Sequence, residues 1–285
     1  MALRGWPLST PPLSVPFVLN TRSPQAVGLV GWWPTIGAWG TVPNRVGVPV
    51  AGSLVGGVGR APDPSMGIGV GPLDGVNDEV SVPTDPLLTP SSSQPHSVAI
   101  WASSTARILV NKYLIGGNLS GWQVGTETSG KLSYVLRGAG ATARVFIQST
   151  STSWLSGAPV HIVATYSGSG VASGAHLYGN GVEQAVTVSA NALSGSTSNT
   201  AVMSWGAFHA SGDIFYAGTY YEVRFYNRAL SAAEVWQMYA PQTRWDLYGV
   251  QVARKGPVAG GAVGIWGANP NLFLPGGVSI ERLAA

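Results

Sequence analysis

The carboxylates have the most scope for catalysis in this chain, and their spacing argues against it. Cleaving a glycoside with retention takes two carboxyl groups about 5 Å apart, one as nucleophile and one as acid. Glu127, Glu183, Glu222 and Glu234 stand isolated, and Asp78-Glu79 are adjacent, so on a strand they point to opposite faces. Glu222 is expected to find a structural partner, Arg224 or a backbone amide. His96, His161, His176 and His209 show no metal-ligand spacing, and His161 and His176 fall on expected strands, where they read as packing residues. No Gly-x-Ser-x-Gly elbow or phosphate-binding loop is present. Asp74, Asn77 and Asp78 are hard oxygen donors of the kind Ca²⁺ takes. The same residues are turn formers, because Asx side chains hydrogen-bond their own backbone. Both readings stay open, and no other cofactor is implied. The expectation is a protein without enzymatic activity.

The elements that must position these residues are short. Among 285 residues are 39 Gly, 20 Pro and no Cys, and only 9% are charged. Such usage fits many turns between short strands, and the 45% hydrophobic content argues against wholesale disorder. The net charge is +3, with Lys112, Lys131 and Lys255 the only lysines, and the basic residues form no run. No nucleic-acid partner is expected from that pattern. No stretch approaches the roughly 20 apolar residues of a membrane span, and the N-terminus lacks the apolar core of a signal peptide.

The clearest local signals lie in Gly218 to Pro241, GTYYEVRFYNRALSAAEVWQMYAP. Tyr221, Val223 and Phe225 alternate with Glu222, Arg224 and Tyr226, which predicts a strand buried on one side. Ser231 with Glu234 three residues on is a capping box, and Val235 and Tyr239 share one face of the helix it opens. Upstream, Trp32 and Trp33 should point to opposite faces of an extended segment, one into the core and one under the terminal segments. Residues 37–72 read as a long surface passage with one or two short strands. Val98 and Ile100 alternate with Ala99 and Trp101, and Leu132, Tyr134 and Leu136 share a face. Arg144–Gln148 and Trp154–Tyr166 read as further strands. Asn180-Gly181 between apolar runs marks a type I′ hairpin, and residues 190–200 read as a polar loop.

Gly218–Val235 resembles the closing strand-and-helix signature of LamG-like, concanavalin A-like domains, G-x-I-D-E-V-R-I-Y-N-R-A-L-S-A-A-E-V, with Tyr221 where the family has Asp. PLDGVNDEVSV (72–82) is similar to the family's F-D-G-V-N-D-Y-V element. SVAIWA, WLSGAPVHIVATY and LYGNG resemble further family strands and the family hairpin. The resemblance implies an all-β fold, a two-sheet antiparallel jelly-roll sandwich with one short late helix and extended N- and C-terminal arms. The organisation expected is a Pro-rich arm over 1–25, the sandwich over 26–241 and a strand with a Gly-rich extension over 242–285. The resemblance also implies that Ca²⁺, if bound, sits in the Asp74–Asp78 turn. Lectins of this type hold sugars on aromatic platforms, for which Trp122, Trp154 and Trp205 are the candidates, core packing being their other reading.

The junction Tyr239–Tyr248 resembles LamG-like proteins encoded among tailed-phage virion genes. Both ends are apolar and rich in Pro or Gly, and the low charge fits a surface covered in an assembly. The expected function is a non-enzymatic virion structural protein, a capsid decoration, fibre or tail component, with a glycan-binding adhesive role. Its expected partners are other virion proteins bound through the arms, further copies of itself and a cell-surface glycan. Its expected location is the virion, assembled in the host cytoplasm and released by lysis. The alternatives are a free-standing carbohydrate-binding module and, third, a glycoside hydrolase.

Overall fold

The computed structural model describes residues 17–36, 40–47, 50–114, 119–140, 142–209 and 213–250. Most of the Pro-rich arm and the Gly-rich extension lie outside the described residues.

Two antiparallel sheets face each other. One runs Val186–Ala192, Arg144–Ser149, Leu132–Arg137, Ser120–Thr126, Leu109–Leu114, Met203–Trp205, Glu79–Val82, Gly52–Val55, Thr41–Val42. The other runs Val182–Glu183, Ala175–Gly179, Val160–Tyr166, His96–Ser103, Gly218–Tyr226, Gly67–Leu73, Arg60–Asp63, with Leu29–Pro34 also paired to Gly218–Tyr226. This is the jelly-roll sandwich expected. The core between the sheets holds Trp33, Val98, Ile100, Trp122, Leu132, Tyr134, Leu136, Ile162, Trp205, Val223 and Phe225. Alternation delivers them: on each strand every second side chain faces the opposite sheet.

A second apolar cluster covers the outer face of the second sheet. Trp32, Ala99, Trp101, Tyr221 and Tyr226 project there, and Phe17, Val235, Met238, Trp245, Leu247 and Tyr248 close over them. Trp32 and Trp33 thus serve different layers, as their adjacency requires. Phe17–Leu19 pairs with Tyr248–Val250, and Trp32 packs beneath that pair, its ring 5.8 Å from Phe17 and 4.9 Å from Tyr248. The inner ends of both terminal segments therefore pack on their own sandwich.

Four sequence expectations need correction. Gly218–Tyr226 is buried on both faces, because the outer cluster closes over the side turned away from the core, and a register shift between Tyr220 and Glu222 puts Tyr221 with that cluster while Val223 and Phe225 stay in the core. The passage 37–72 carries four strands, since Gly67–Leu73 pairs with the edge of Gly218–Tyr226 and recruits Arg60–Asp63 beside it. Val186–Ala192 continues through the start of the expected loop because Arg144–Ser149 offers it a partner. The strand expected over Trp154–Tyr166 begins at Val160.

The helix Ala232–Tyr239 begins at the capping box: Ser231 Oγ accepts from the Glu234 amide, and the Glu234 carboxylate accepts from the Ser231 amide. Arg228 grips the same carboxylate through both terminal nitrogens at 2.9 and 2.7 Å. That bidentate pairing, with the Ser231 donors, pulls Glu234 down to about 2. Ser231→Ala should cost about 1 kcal/mol. For a chain of this size that lowers the thermal midpoint by about 2–4 °C, which differential scanning calorimetry would check.

Candidate functional site

Val235 and Met238 turn inward on the helix, and Trp236, one residue on from Val235, turns out. Trp236 is 49% exposed, and Val182 on the neighbouring hairpin is exposed with it. The hairpin makes this placement possible. Asn180 and Gly181 adopt φ of 49° and 80°, the type I′ geometry that Asn-Gly favours. A Cβ at Gly181 would sit 2.9 Å from both the Trp236 and Tyr239 rings, so the missing side chain lets the helix rest on the turn.

Behind Trp236 the aromatic rings continue inward. Its centroid is 5.6 Å from Tyr239, which stacks on Trp101 at 5.9 Å and 14° and on His161 at 6.2 Å and 19°. Trp101 lies over His161 at 4.9 Å, and the Arg244 guanidinium is 5.7 Å from Trp101 and 4.9 Å from Trp245. Burial, with the charges of Arg224 and Arg244, pulls His161 down to about 3, so it is a neutral ring in this stack. At the flank, His176 Nδ1 lies 2.7 Å from Glu183 Oε1, both side chains exposed. His176 is therefore a surface residue, which corrects its reading as packing: it is the one exposed position of its strand, Ala175–Gly179, beyond the edge of the outer cluster that covers Tyr178. The arrangement is one half-exposed indole backed by covered rings, with polar groups beside it. Such a surface takes the apolar face of a ring while hydrogen bonds form at the edge.

The three Trp residues expected to form a platform are covered. Trp122 is 1% exposed, donating to the Leu88 carbonyl at 3.0 Å and packing on Phe225. Trp205 is 0% exposed and meets Trp33 edge-on. Trp154, 9% exposed, lies against Gly179, where a Cβ would come within 2.1 Å of its ring. Their alternation sends Trp122 and Trp205 into the space between the sheets. The signal for Trp236 was present in the helix itself: with Val235 facing in, the next position rotates about 100° toward solvent.

The turn expected to hold Ca²⁺ uses its oxygens internally. Asp74 Oδ1 accepts from the Val76 and Asn77 amides at 2.8 and 3.3 Å, bonds that pull its pKa down, and Asp78 Oδ2 accepts from the Asp74 amide at 3.1 Å. Asp78 Oδ1 is buried without a hydrogen-bond partner. Among the described residues no group of three or more His, Cys, Asp or Glu side chains is arranged to hold a metal ion. Asp74 Oδ2 and Asp78 Oδ1 are the carboxylate oxygens left uncommitted, far from the six to eight ligands Ca²⁺ takes, so these residues do not fit the ion as they stand. Glu222, as expected, has a structural partner. Its Oε2 lies 2.8 Å from Arg224, and its Oε1 accepts from Trp32 Nε1 at 2.5 Å and Tyr248 Oη at 3.0 Å, all buried.

A separate recess of about 340 Å³ lies where the 83–95 loop meets the end of Gly218–Tyr226, lined by Pro86, Leu87, Gln94, Pro95 and Asn227 above His96 and Phe225. His96 is held between the Tyr134 hydroxyl at 2.8 Å and the Gln94 carbonyl at 3.2 Å, and burial pulls it down to about 4. Among the described residues no helix is long and apolar enough to cross a membrane.

Residues 74–236 match the family model described as the concanavalin A-like lectin/glucanases superfamily, Laminin_G_3. Solved structures share the fold at low identity. The binding domain of Paraclostridial Mosquitocidal Protein 1 matches with a TM-score of 0.57 and 14% identity, over 75% of this chain and 52% of that one. The binding domain of botulinum neurotoxin serotype G matches at 0.55 and 13%, over 74% and 50%. Trypanosoma rangeli sialidase in complex with sialic acid matches at 0.53 and 15%, over 81% and 35%. The chain thus spans about half of the toxin binding domains and about a third of the sialidase. A search of curated protein sequences finds no match.

Proposed function

The chain belongs to the concanavalin A-like lectin/glucanase superfamily, and from that premise we propose that it is a non-catalytic carbohydrate-binding domain, built into a phage particle as a structural component. The observation that carries the binding role is the exposed Trp236, backed by the Tyr239–Trp101–His161 stack and flanked by the His176–Glu183 pair. A large aromatic side chain held half in solvent by a rigid helix and a tight turn is a surface for a sugar ring. The fold is compatible with such a ligand: for botulinum neurotoxin type C, a structure with 12% identity and a TM-score of 0.54, cell entry is described as dependent on two ganglioside molecules. Glu222, the carboxylate of the most family-like strand, is buried under Trp32 and Tyr248, which supports a role without catalysis.

The structural role in a virion rests on different observations. The Tyr239–Tyr248 junction resembles phage-encoded LamG-like proteins, and charged residues make up only 9% of the chain. Phe17 pairs with Val250, so the continuations of the chain before residue 17 and after residue 250 start side by side. Two ends of the described fold brought to one place suit attachment to an assembly.

Glycan-array binding by the full-length protein, with and without Ca²⁺, tests the first part. Binding is expected without added Ca²⁺, and Trp236→Ala should weaken it at least about tenfold, the equivalent of about 1.4 kcal/mol. A flat array overturns the reading. Binding untouched by Trp236→Ala would move the site to the recess around Leu87 and Asn227. Light scattering of the full-length chain tests the second part: a closed oligomer supports it and a monomer counts against it.

A further inference from the structure

Both ring nitrogens of His209 face carboxylates. Nδ1 lies 2.7 Å from Asp213 Oδ1 and Nε2 lies 2.9 Å from Glu79 Oε2. A neutral imidazole has one N–H and can donate to only one of them, whereas the imidazolium donates to both. The three residues come from two elements. Glu79 opens the strand Glu79–Val82 of the nine-stranded sheet, where it pairs with Val55. His209 and Asp213 lie between the two strands of the small ribbon, Ala207–Phe208 and Ile214–Phe215, each next to a strand end, and the Phe215 ring stands edge-on to the imidazole at 6.1 Å. Glu79 is buried, so losing its partner would leave a carboxylate poorly solvated. Nothing in the carbohydrate-binding reading uses this cluster.

We propose that His209 is a pH-sensitive tie, its imidazolium bridging Glu79 on the sheet and Asp213 on the ribbon. Among the described residues, Glu79 and Asp213 are the charged groups facing the ring. Burial disfavours the charged imidazole, but the hydrogen bonds and negative charges of Asp213 and Glu79 outweigh it, and the pKa is raised above that of an ordinary histidine. The sign follows from linkage. A group whose folded pKa is raised contributes its full stabilisation below its unfolded value, about 6.5 for His, and loses it as pH rises through the folded value. The ribbon is therefore held most firmly in mild acid and released toward alkaline pH.

Imidazole NMR titration of the full-length protein from about pH 5 to about pH 9 spans the ordinary histidine pKa and tests this. His96 and His161, pulled down to about 4 and about 3, do not interfere. His209 should titrate above about 6.5, and Glu79→Gln should move its midpoint down. The thermal midpoint of the wild type should exceed that of His209→Gln most at the acid end, with the gap closing as pH rises. A wild-type His209 midpoint at or below about 6.5 overturns the proposal, as does a midpoint that Glu79→Gln leaves in place. Should His209→Gln fail to fold, the wild-type titration, with signals assigned through His176→Gln, decides alone.

Discussion

Arg224→Ala is expected to destabilise the fold by about 3–5 kcal/mol, the cost of removing one partner from a buried ion pair. Arg224 lies 2.8 Å from Glu222 Oε2, donates to Gln25 Oε1 at 2.5 Å and reaches the Arg244 carbonyl at 3.5 Å. Burial alone would depress its pKa, but the Glu222 charge, with Tyr226 and Tyr248, more than offsets that, and the guanidinium stays protonated. The guanidinium thus holds three parts of the chain on one face of the sheet: its own strand, the Ser23–Gln25 turn and the segment after the helix. Truncation leaves the Glu222 carboxylate under Trp32 and Tyr248 without its ion-pair partner. Urea denaturation would measure the loss, and a change below about 1 kcal/mol would contradict it. A double variant separates charge from shape. Glu222→Gln keeps an acceptor for Trp32 Nε1 and Tyr248 Oη, and Arg224→Met fills part of the vacated volume. Removing both charges together should cost less than Arg224→Ala alone, because no unpaired ion remains.

The second large effect is expected at Lys112, which is fully buried and forms no ion pair with a carboxylate among the described residues. Its Nζ donates to Thr84 Oγ1 at 3.0 Å, the Asn199 carbonyl at 3.1 Å, Asn199 Oδ1 at 3.2 Å and the Ala201 carbonyl at 2.5 Å. Burial pulls its pKa down to about 8, which still leaves it charged at neutral pH. Four oxygens on one cation pin the 193–202 loop to the strand Leu109–Leu114. Asn199 extends the link by donating from Nδ2 to the Lys112 and Ser120 carbonyls. Lys112→Met keeps the stem and deletes the donors, leaving buried acceptors that cost about 1–3 kcal/mol apiece where water cannot reach them. A loss of about 2–4 kcal/mol is expected, part of it recovered by solvent entry at the loop. Hydrogen exchange supplies the local readout: the amides of Asn199 and Ala201, bonded to Thr89 Oγ1 and Asn199 Oδ1, should exchange faster in the variant while those of Val160–Tyr166 hold. Unchanged exchange at these two amides would mean that the loop is held by other contacts.

Local patterns in the sequence determined much of this protein. Alternation over Leu132–Leu136 and Val98–Trp101 specifies which side chains enter the core, because a strand has a period of two whatever it pairs with. Asn180-Gly181 specifies its hairpin because few other dipeptides tolerate positive φ twice, and Ser231 with Glu234 specifies a helix start through bonds spanning three residues. Even the outward turn of Trp236 follows from helical geometry once Val235 is known to face in.

Tertiary structure alone decided the rest. Trp122, Trp154 and Trp205 have the composition of a sugar platform, but only the approach of the second sheet shows that their faces are covered. Gly218–Tyr226 is covered on its outer side by Phe17, Trp245 and Tyr248 from distant parts of the chain, so the period-two pattern could not reveal that both its faces are buried. Glu79 meets His209 across 130 positions, and Lys112 meets Asn199 across 87. Contacts of that separation are set by the order in which strands enter a sheet, and that order is chosen by the packing of the whole sandwich rather than by any local stretch of chain.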